Sequence, residues 1–332
     1  MDNETYAKLY DALFIKLGSI FLTVLRKNTL DNLDIDVSQL TLDPSASDFN
    51  NLFFKPYKYE NTKGIEINEF TRCPKLVKKP DPLDAEYWES MLMARYFFEI
   101  IYYGRSINPE DEYPKYYPSP LSFTRWKPSG SCHPGREIDH ITEGPNEEEW
   151  RFDDLYDTQD PDLPHLMITT YHGYEGAKDE ILTGDVIAIL DCMLRRLGKR
   201  PQHLICPVLL ISFCGNRYAR IIQAHGDPES LRLKLKCSEK LPLHSRKTNK
   251  LNFRAVFLWM MNTPIGTTSP ISASTVAKTK LAGRPSKVDK DKVVAKEKTP
   301  TKPKAESQDI KAKPSDKTKP SDKKVVVRPR KH

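Results

Sequence analysis

The plainest pattern in the chain is an alternation, with Leu231, Leu233 and Leu235 on one side and Arg232, Lys234 and Lys236 on the other. A period of two places alternate side chains on opposite faces, so this segment predicts a strand with one face on a core. Upstream, His203–Phe213 is apolar almost throughout, as expected of a central strand covered on both faces. Gly215 and Asn216 then turn the chain into Arg217–His225, where Tyr218, Arg220 and Ile222 alternate with Ala219, Ile221 and Gln223. His165–His172 reads as a further strand and Gly173–Gly176 as a turn. Thr183 opens a helix carrying Ile187, Leu190, Leu194 and Leu197, which Gly198 and the Lys199-Arg200-Pro201 step bring to an end. Phe253–Asn262 predicts a last helix. Strand, helix, a meander of three strands and a helix define an α+β unit over 165–265: a small mixed or antiparallel sheet with flanking helices.

Residues 1–103 read as mainly helical and as packing on that unit. Between Glu4 and Lys27, Leu9, Leu13, Leu17, Ile20, Phe21, Val24 and Leu25 recur at three- and four-residue steps, the pattern of an amphipathic core-packing helix. Prolines punctuate residues 28–83. Asp84 is placed to cap a second helix to about Tyr103, with Trp88, Leu92, Tyr96, Ile100 and Tyr103 on its buried face. Residues 104–164 are rich in Pro and acid, and Glu137–Asp162 holds eleven carboxylates against one strong base, Arg151. Like-charge repulsion of that density predicts a long surface loop.

The run from Pro207 through Gly215 and Arg220 to Ala224, followed by the basic alternating strand and a helix containing Trp259, resembles uncharacterised proteins of filamentous fungi. The resemblance covers roughly residues 165–265 and implies a domain boundary, with no activity and no catalytic residue attached to it.

Candidate chemistry in the body is sparse. The six Cys (73, 132, 192, 206, 214 and 237) include no C-x-x-C pair. Cys132, His133 and His140 lie close together beside Glu137 and Asp139, but in a Gly- and Pro-rich stretch without the frame that a zinc site needs, so neither metal nor cofactor is assigned. Cys206 and Cys214 read as buried small hydrophobes. There is no G-x-S-x-G elbow, P-loop or dinucleotide fingerprint. A metal-dependent nuclease core would need an acid on one strand and an acid-x-Lys step on the next. Lys234 and Lys236 have no acid two residues before them, and Glu175 and Lys178 are wrongly spaced.

Charge changes the picture. The chain carries 52 Lys and Arg against 45 Asp and Glu, a net of +7. Residues 271–332 hold 19 basic and seven acidic groups, net +12, which leaves 33 basic against 38 acidic in residues 1–270, net −5. All the Trp, Tyr and Phe precede residue 271. The tail cannot bury enough apolar surface to offset roughly 1–2 kcal/mol of backbone entropy per ordered residue, so 266–332 is expected to be disordered.

That tail supports a partner class. Its lysines are interleaved with Pro, Ala, Ser and Thr, and Lys-Pro-Ser-Asp-Lys occurs at 313–317 and again at 319–323, a composition similar to a linker-histone tail. Gly283-Arg284-Pro285, flanked by Lys280 and Lys287, resembles the core of an AT-hook, in which guanidinium groups enter the narrow minor groove. Ala282 and Ser286 stand where that motif has basic residues. Lys302 and Lys304 continue the cationic tract, and Lys323, Lys324, Arg328, Arg330 and Lys331 form a nuclear-import cluster. Thr299 before Pro300, with Lys302 beyond, resembles a proline-directed phosphorylation site, and a phosphate there would weaken phosphate binding.

The acidic N-terminus and the short early apolar run exclude a secretory signal and a membrane span at the start of the chain, so reduced thiols and an intracellular site are expected. The sequence reading is therefore a non-enzymatic nuclear protein: a protein-interaction body with an unidentified protein partner, plus a tail that binds nucleic acid with little sequence preference. A cytoplasmic site is the alternative. The alternative functions are a module autoinhibited by tail binding to its own acidic loop, and an inactive nuclease-like domain.

Overall fold

The computed structural model describes residues 3–20, 22–43, 53–58, 82–103, 119–129, 150–200, 202–245, 248–266 and 268. Its centre is an eight-stranded mixed sheet. Strands β4 (Trp126–Pro128), β5 (Trp150–Thr158) and β6 (Leu166–His172) form an antiparallel meander. After the two-residue β7 (Ile181–Leu182), helix α4 (Thr183–Lys199) crosses to β8 (Val208–Cys214), which runs parallel to β6 with Leu166 opposite Val208 and His172 opposite Cys214. The sheet continues antiparallel through β9 (Tyr218–Gly226) and β10 (Leu233–Cys237). Strand β2 (Ile35–Gln39) adds parallel to β10 at the edge, and β11 (Leu241–Pro242) pairs with β9. The α+β class holds, with a sheet larger than the strands of 165–265 alone provide, because both flanks recruit chain from outside that unit.

Helices cover both faces. Leu166, Ile168, Val208, Leu210, Ile222, Leu233 and Leu235 share one core with α1 (Asn3–Gly18) and α4. Met167, Leu209, Ile211, Phe213 and Ile221 point the other way, into a core with α3 (Pro82–Tyr103) and α5 (Lys250–Met260). This is why β8 reads as continuously apolar: both of its faces are buried. Phe97 of α3 stacks on Phe213 at 5.5 Å between ring centroids and on Phe253 of α5 at 5.7 Å, which knits the second core together. Small elements complete the fold: β1 (Val24–Leu25) pairs with β7, α2 (Lys27–Asn32) precedes β2, and β3 (Phe54–Lys55) pairs with β12 (Thr263–Pro264).

Three expectations change. The first helix stops at Gly18, and Val24 and Leu25 belong to a strand. In α3 the buried side is Tyr87, Met93, Tyr96, Phe97, Ile100 and Ile101, whereas Trp88 and Tyr103 are exposed at 48% and 44%. The aromatic spacing was compatible with two overlapping faces, and packing against Phe213 selected the other one. The surface loop expected over 104–164 contains β4 and the nine-residue β5, both in the central sheet. Strand β5 escaped the alternation test because of a bulge. Phe152 pairs with Thr170 and Leu155 with Ile168, so Asp153 and Asp154 together face the single residue Thr169 and the period-two phase is broken between them. The tail, 269–332, lies outside the described residues.

Candidate functional site

Along the α1/α4 face the cross-strand rows are aliphatic until the C-terminal ends of β6 and β8, where they turn polar. Register places Thr170, Ser212 and Arg220 in one row and His172, Cys214 and Tyr218 in the next. Over these rows sits the first turn of α4, carrying Asp185. In open sheets this edge, beyond the carboxyl ends of parallel strands, is where ligands are commonly held.

Asp185 is 1% exposed and its Oδ1 accepts two hydrogen bonds, from Thr170 Oγ1 at 2.8 Å and from His172 Nε2 at 2.7 Å. That contact assigns the His172 proton to Nε2. Trp150 of β5 stacks over the imidazole, with centroids 5.9 Å apart and ring planes at 17°, and seals it from solvent. Gly184 is required beside Asp185, because a Cβ there would meet the Trp150 ring at 2.5 Å. Arg220 donates to the carbonyls of Glu180 and of Lys178, the latter at 3.1 Å, and so holds the loop that leads into β7 and α4. Three buried polar atoms in the cluster make no hydrogen bond among the described residues: Asp185 Oδ2, Ser212 Oγ and Arg220 Nε. Arg220 and Cys237 also line an open groove of about 330 Å³ between α2, β2 and the 178–181 loop, with Lys27, Asp31, Ser38 and Glu239 at its margin.

The cluster does not make a nucleophile. Burial, reinforced by the Asp185 carboxylate, pushes the Cys214 thiol up to about 12, and burial does the same to Cys237. His172 spends Nε2 on Asp185, and Ser212 Oγ receives no base. The arrangement leaves Asp185 Oδ2 as a buried acceptor and Ser212 Oγ and Arg220 Nε as buried donors.

A second set of carboxylates lies on the opposite face, at the β5 bulge. The Asp154 amide donates to Thr169 Oγ1 at 3.1 Å, which fixes the bulge. Burial raises the Asp153 carboxyl to about 6. Burial, with the Asp153 charge beside it, raises Asp154 to about 7. The neighbouring strand reads Thr169-Thr170-Tyr171 where a nuclease centre would place its acid-x-Lys step, so the cation-binding set is incomplete at this position. No group of three or more His, Cys, Asp or Glu suited to a metal ion occurs among the described residues.

Several residues singled out in the sequence now have places. Cys206 and Cys214 are buried as free thiols. Glu175 pairs with Lys240 at 2.9 Å, and Lys178 with Glu239 at 3.2 Å. Arg232 of the basic alternation meets Asp36 at 2.8 Å, and Lys234 meets Asp36 at 2.5 Å and Asp227 at 3.5 Å. Most of that cationic face is thus neutralised by β2 and the β9–β10 turn. Cys132, His133, Glu137, Asp139 and His140 lie outside the described residues, as do all the tail positions proposed to meet nucleic acid and Thr299.

The sequence pattern alone does not point to the Asp185–His172–Arg220 cluster. Its signal is present in the sequence as Thr170, His172, Ser212 and Arg220, polar interruptions at alternate positions of otherwise apolar strands. Asp185 in the first turn of a helix reads as a routine dipole partner until the sheet is placed beneath it. No family model, no curated protein and no solved structure matches the chain.

Proposed function

We propose that this chain is a non-enzymatic nuclear protein that binds nucleic acid through its basic C-terminal segment and uses its folded body to engage a protein partner. The observation that carries the reading is the charge division, +12 on residues 271–332 against −5 on the remainder. An acidic body repels a phosphate backbone, so net affinity has to come from the tail. The ion pairs of Arg232 and Lys234 support this division, since they remove two cations that would otherwise extend a polyanion surface across the body. Within the tail, Lys280, Arg284 and Lys287 would approach a minor groove, and the remaining lysines and arginines would meet phosphates.

The autoinhibited alternative loses part of its basis. Of the acidic stretch, Asp157 is tied to Arg196, and Asp153 and Asp154 are half-buried on a strand, so any tail-binding acid has to come from 137–149 or from Asp160 and the exposed Asp162.

The test is a salt titration of duplex DNA binding by the full chain and by a chain lacking 271–332. If six to ten tail cations neutralise phosphates, affinity falls about 10³- to 10⁵-fold between 50 and 200 mM salt, and deletion removes it. Binding that is indifferent to salt, or unchanged by the deletion, overturns the reading.

A further inference from the structure

The groove between α5 and β3 has a character that neither core explains. Its cavity is about 540 Å³, within the range of small binding sites. Leu42, Pro56, Leu251, Ala255 and Leu258 give it an apolar floor. Leu251, on the outer turn of α5, is 76% exposed, the most exposed of the large hydrophobic residues described. Lys55, Lys58 and Arg254 form the rim, and among the described residues no carboxylate lines it. Lys55 and Lys58 make no ion pair or hydrogen bond with a side chain among the described residues. This differs from the strand-face cations Arg232 and Lys234, which sit against Asp36.

The groove is preformed. The Tyr57 amide donates to the Leu258 carbonyl of α5 at 2.9 Å, and Ile265 N–H donates to the Phe53 carbonyl at 2.8 Å. Gln223 of the central sheet reaches the same segment, accepting from the Phe53 amide at 3.3 Å and donating to the Phe54 carbonyl at 3.4 Å. Both walls are therefore fixed to the body, and little conformational cost would fall on binding. β12, the last strand before the basic tail, pairs directly with β3, with Thr263 opposite Lys55. The C-terminal segment, net +12 over residues 271–332, carries the sign of this rim, so charge disfavours it as the occupant.

We propose that this groove is the partner-binding surface of the body, and that its partner is an acidic amphipathic protein segment. Apolar side chains on one face of the segment would cover Leu251 and Leu258, and flanking carboxylates would meet Lys55 and Lys58. Tyr57 and Trp259 are the aromatic residues of the lining, and Trp259 is buried, so the groove lacks the row of open aromatic platforms on which nucleic-acid bases stack, which favours peptide. The proposal rests on the protein-interaction part of the function argued above and is independent of the tail's affinity for nucleic acid.

The test uses the full chain and fluorescence anisotropy. The probe is a short synthetic peptide with Leu on one helical face and Glu on the other, compared with a scrambled peptide of identical composition. The tail attracts both peptides equally through charge, so the preference between them reports the groove alone. The amphipathic peptide is expected to bind roughly tenfold tighter than the scrambled one. Leu251→Asp, or Lys58→Glu with Lys55→Glu, should bring the ratio to near one without altering the circular dichroism spectrum or the salt dependence contributed by the tail. Equal binding of the two peptides overturns the proposal, as does a ratio unchanged by Leu251→Asp. If Lys55→Glu and Lys58→Glu weaken single-stranded RNA binding while the peptide ratio stays at one, the groove serves nucleic acid and the assignment fails. If replacing Glu147, Glu148 and Glu149 by Gln raises the peptide affinity, the groove is taken by this chain's own acidic segment, which equally overturns a separate partner.

Discussion

At the scale of single residues, Asp185 carries the most consequences. One carboxylate oxygen satisfies two buried side chains, Thr170 and His172, from beneath the first turn of α4. Replacing Asp185 with Ala leaves both without an acceptor in a site that Trp150 closes to water. An unsatisfied buried polar group costs about 1–3 kcal/mol, so Asp185→Ala should destabilise by about 2–4 kcal/mol. Asp185→Asn keeps a carbonyl acceptor of the same shape and should cost less. Urea unfolding reads the difference as a lowered midpoint at constant slope. An Ala variant as stable as wild type would mean that Thr170 and His172 take other partners and that the carboxylate does not hold this edge of the sheet. The alternating polar positions of β6 and β8 were visible in the sequence, but their meaning was not. Period two assigns Thr170, Ser212 and Arg220 to one face without saying that parallel pairing of β6 with β8 sets them in one row beneath a helix.

At the scale of elements, the strands and helices of 165–265 were legible because each keeps one period throughout and ends at Gly, Pro or a turn pair. Strand β5 was not, for two physical reasons. Its bulge changes the phase between Phe152 and Leu155, and its carboxylates read as solvated when they are partly enclosed. Asp157 is the clearest case. It forms a bidentate pair with Arg196 of α4, whose guanidinium is 3% exposed and also donates to the carbonyls of Pro164 at 3.0 Å and His165 at 3.1 Å. Arg200, one turn on, donates to the Leu163 carbonyl at 2.8 Å. The C-terminal end of α4 is thereby fastened to the β5–β6 connection, and an acidic segment becomes part of the sheet. Asp157→Ala strands a buried guanidinium and should cost about 3–5 kcal/mol. Pairing it with Arg196→Met removes both charges and should recover a large part of the loss, because a well-packed apolar pair is often neutral relative to a buried ion pair. A double-mutant cycle by chemical denaturation measures this. Simple additivity of the two substitutions would show that Asp157 and Arg196 do not act together.

At the scale of the whole molecule, net charge hides opposing local terms, and the pH dependence of stability shows the same behaviour. His165 is fully buried, its Nε2 against the Ile265 carbonyl and its ring against Phe53 and Phe54. Burial, the largest cause, holds its pKa at about 4. A depressed His contributes stability that is present above its unfolded value of about 6.5 and lost as pH falls through 4, on the order of 3 kcal/mol for a shift of this size. His225, likewise lowered to about 4 chiefly by burial, acts in the same direction. Asp153 and Asp154 are raised to about 6 and about 7, so their contribution has the opposite sign. It is fully present below about 3.8 and lost as pH rises through 6 to 7. Between pH 4 and 6.5 acidification therefore weakens the fold at the histidines and strengthens it at the bulge, and the wild-type stability curve should be nearly flat there. Asp153→Asn with Asp154→Asn removes the compensating term while preserving shape and the Asp154 amide bond to Thr169. That variant should be more stable than wild type at pH 8, where it no longer buries ionised carboxylates. It should then lose roughly 3 kcal/mol or more between pH 7 and 4. Thermal unfolding across that range decides the matter. Parallel wild-type and variant curves would show that the bulge carboxylates titrate as solvated groups and that the flatness of the wild-type profile has another origin.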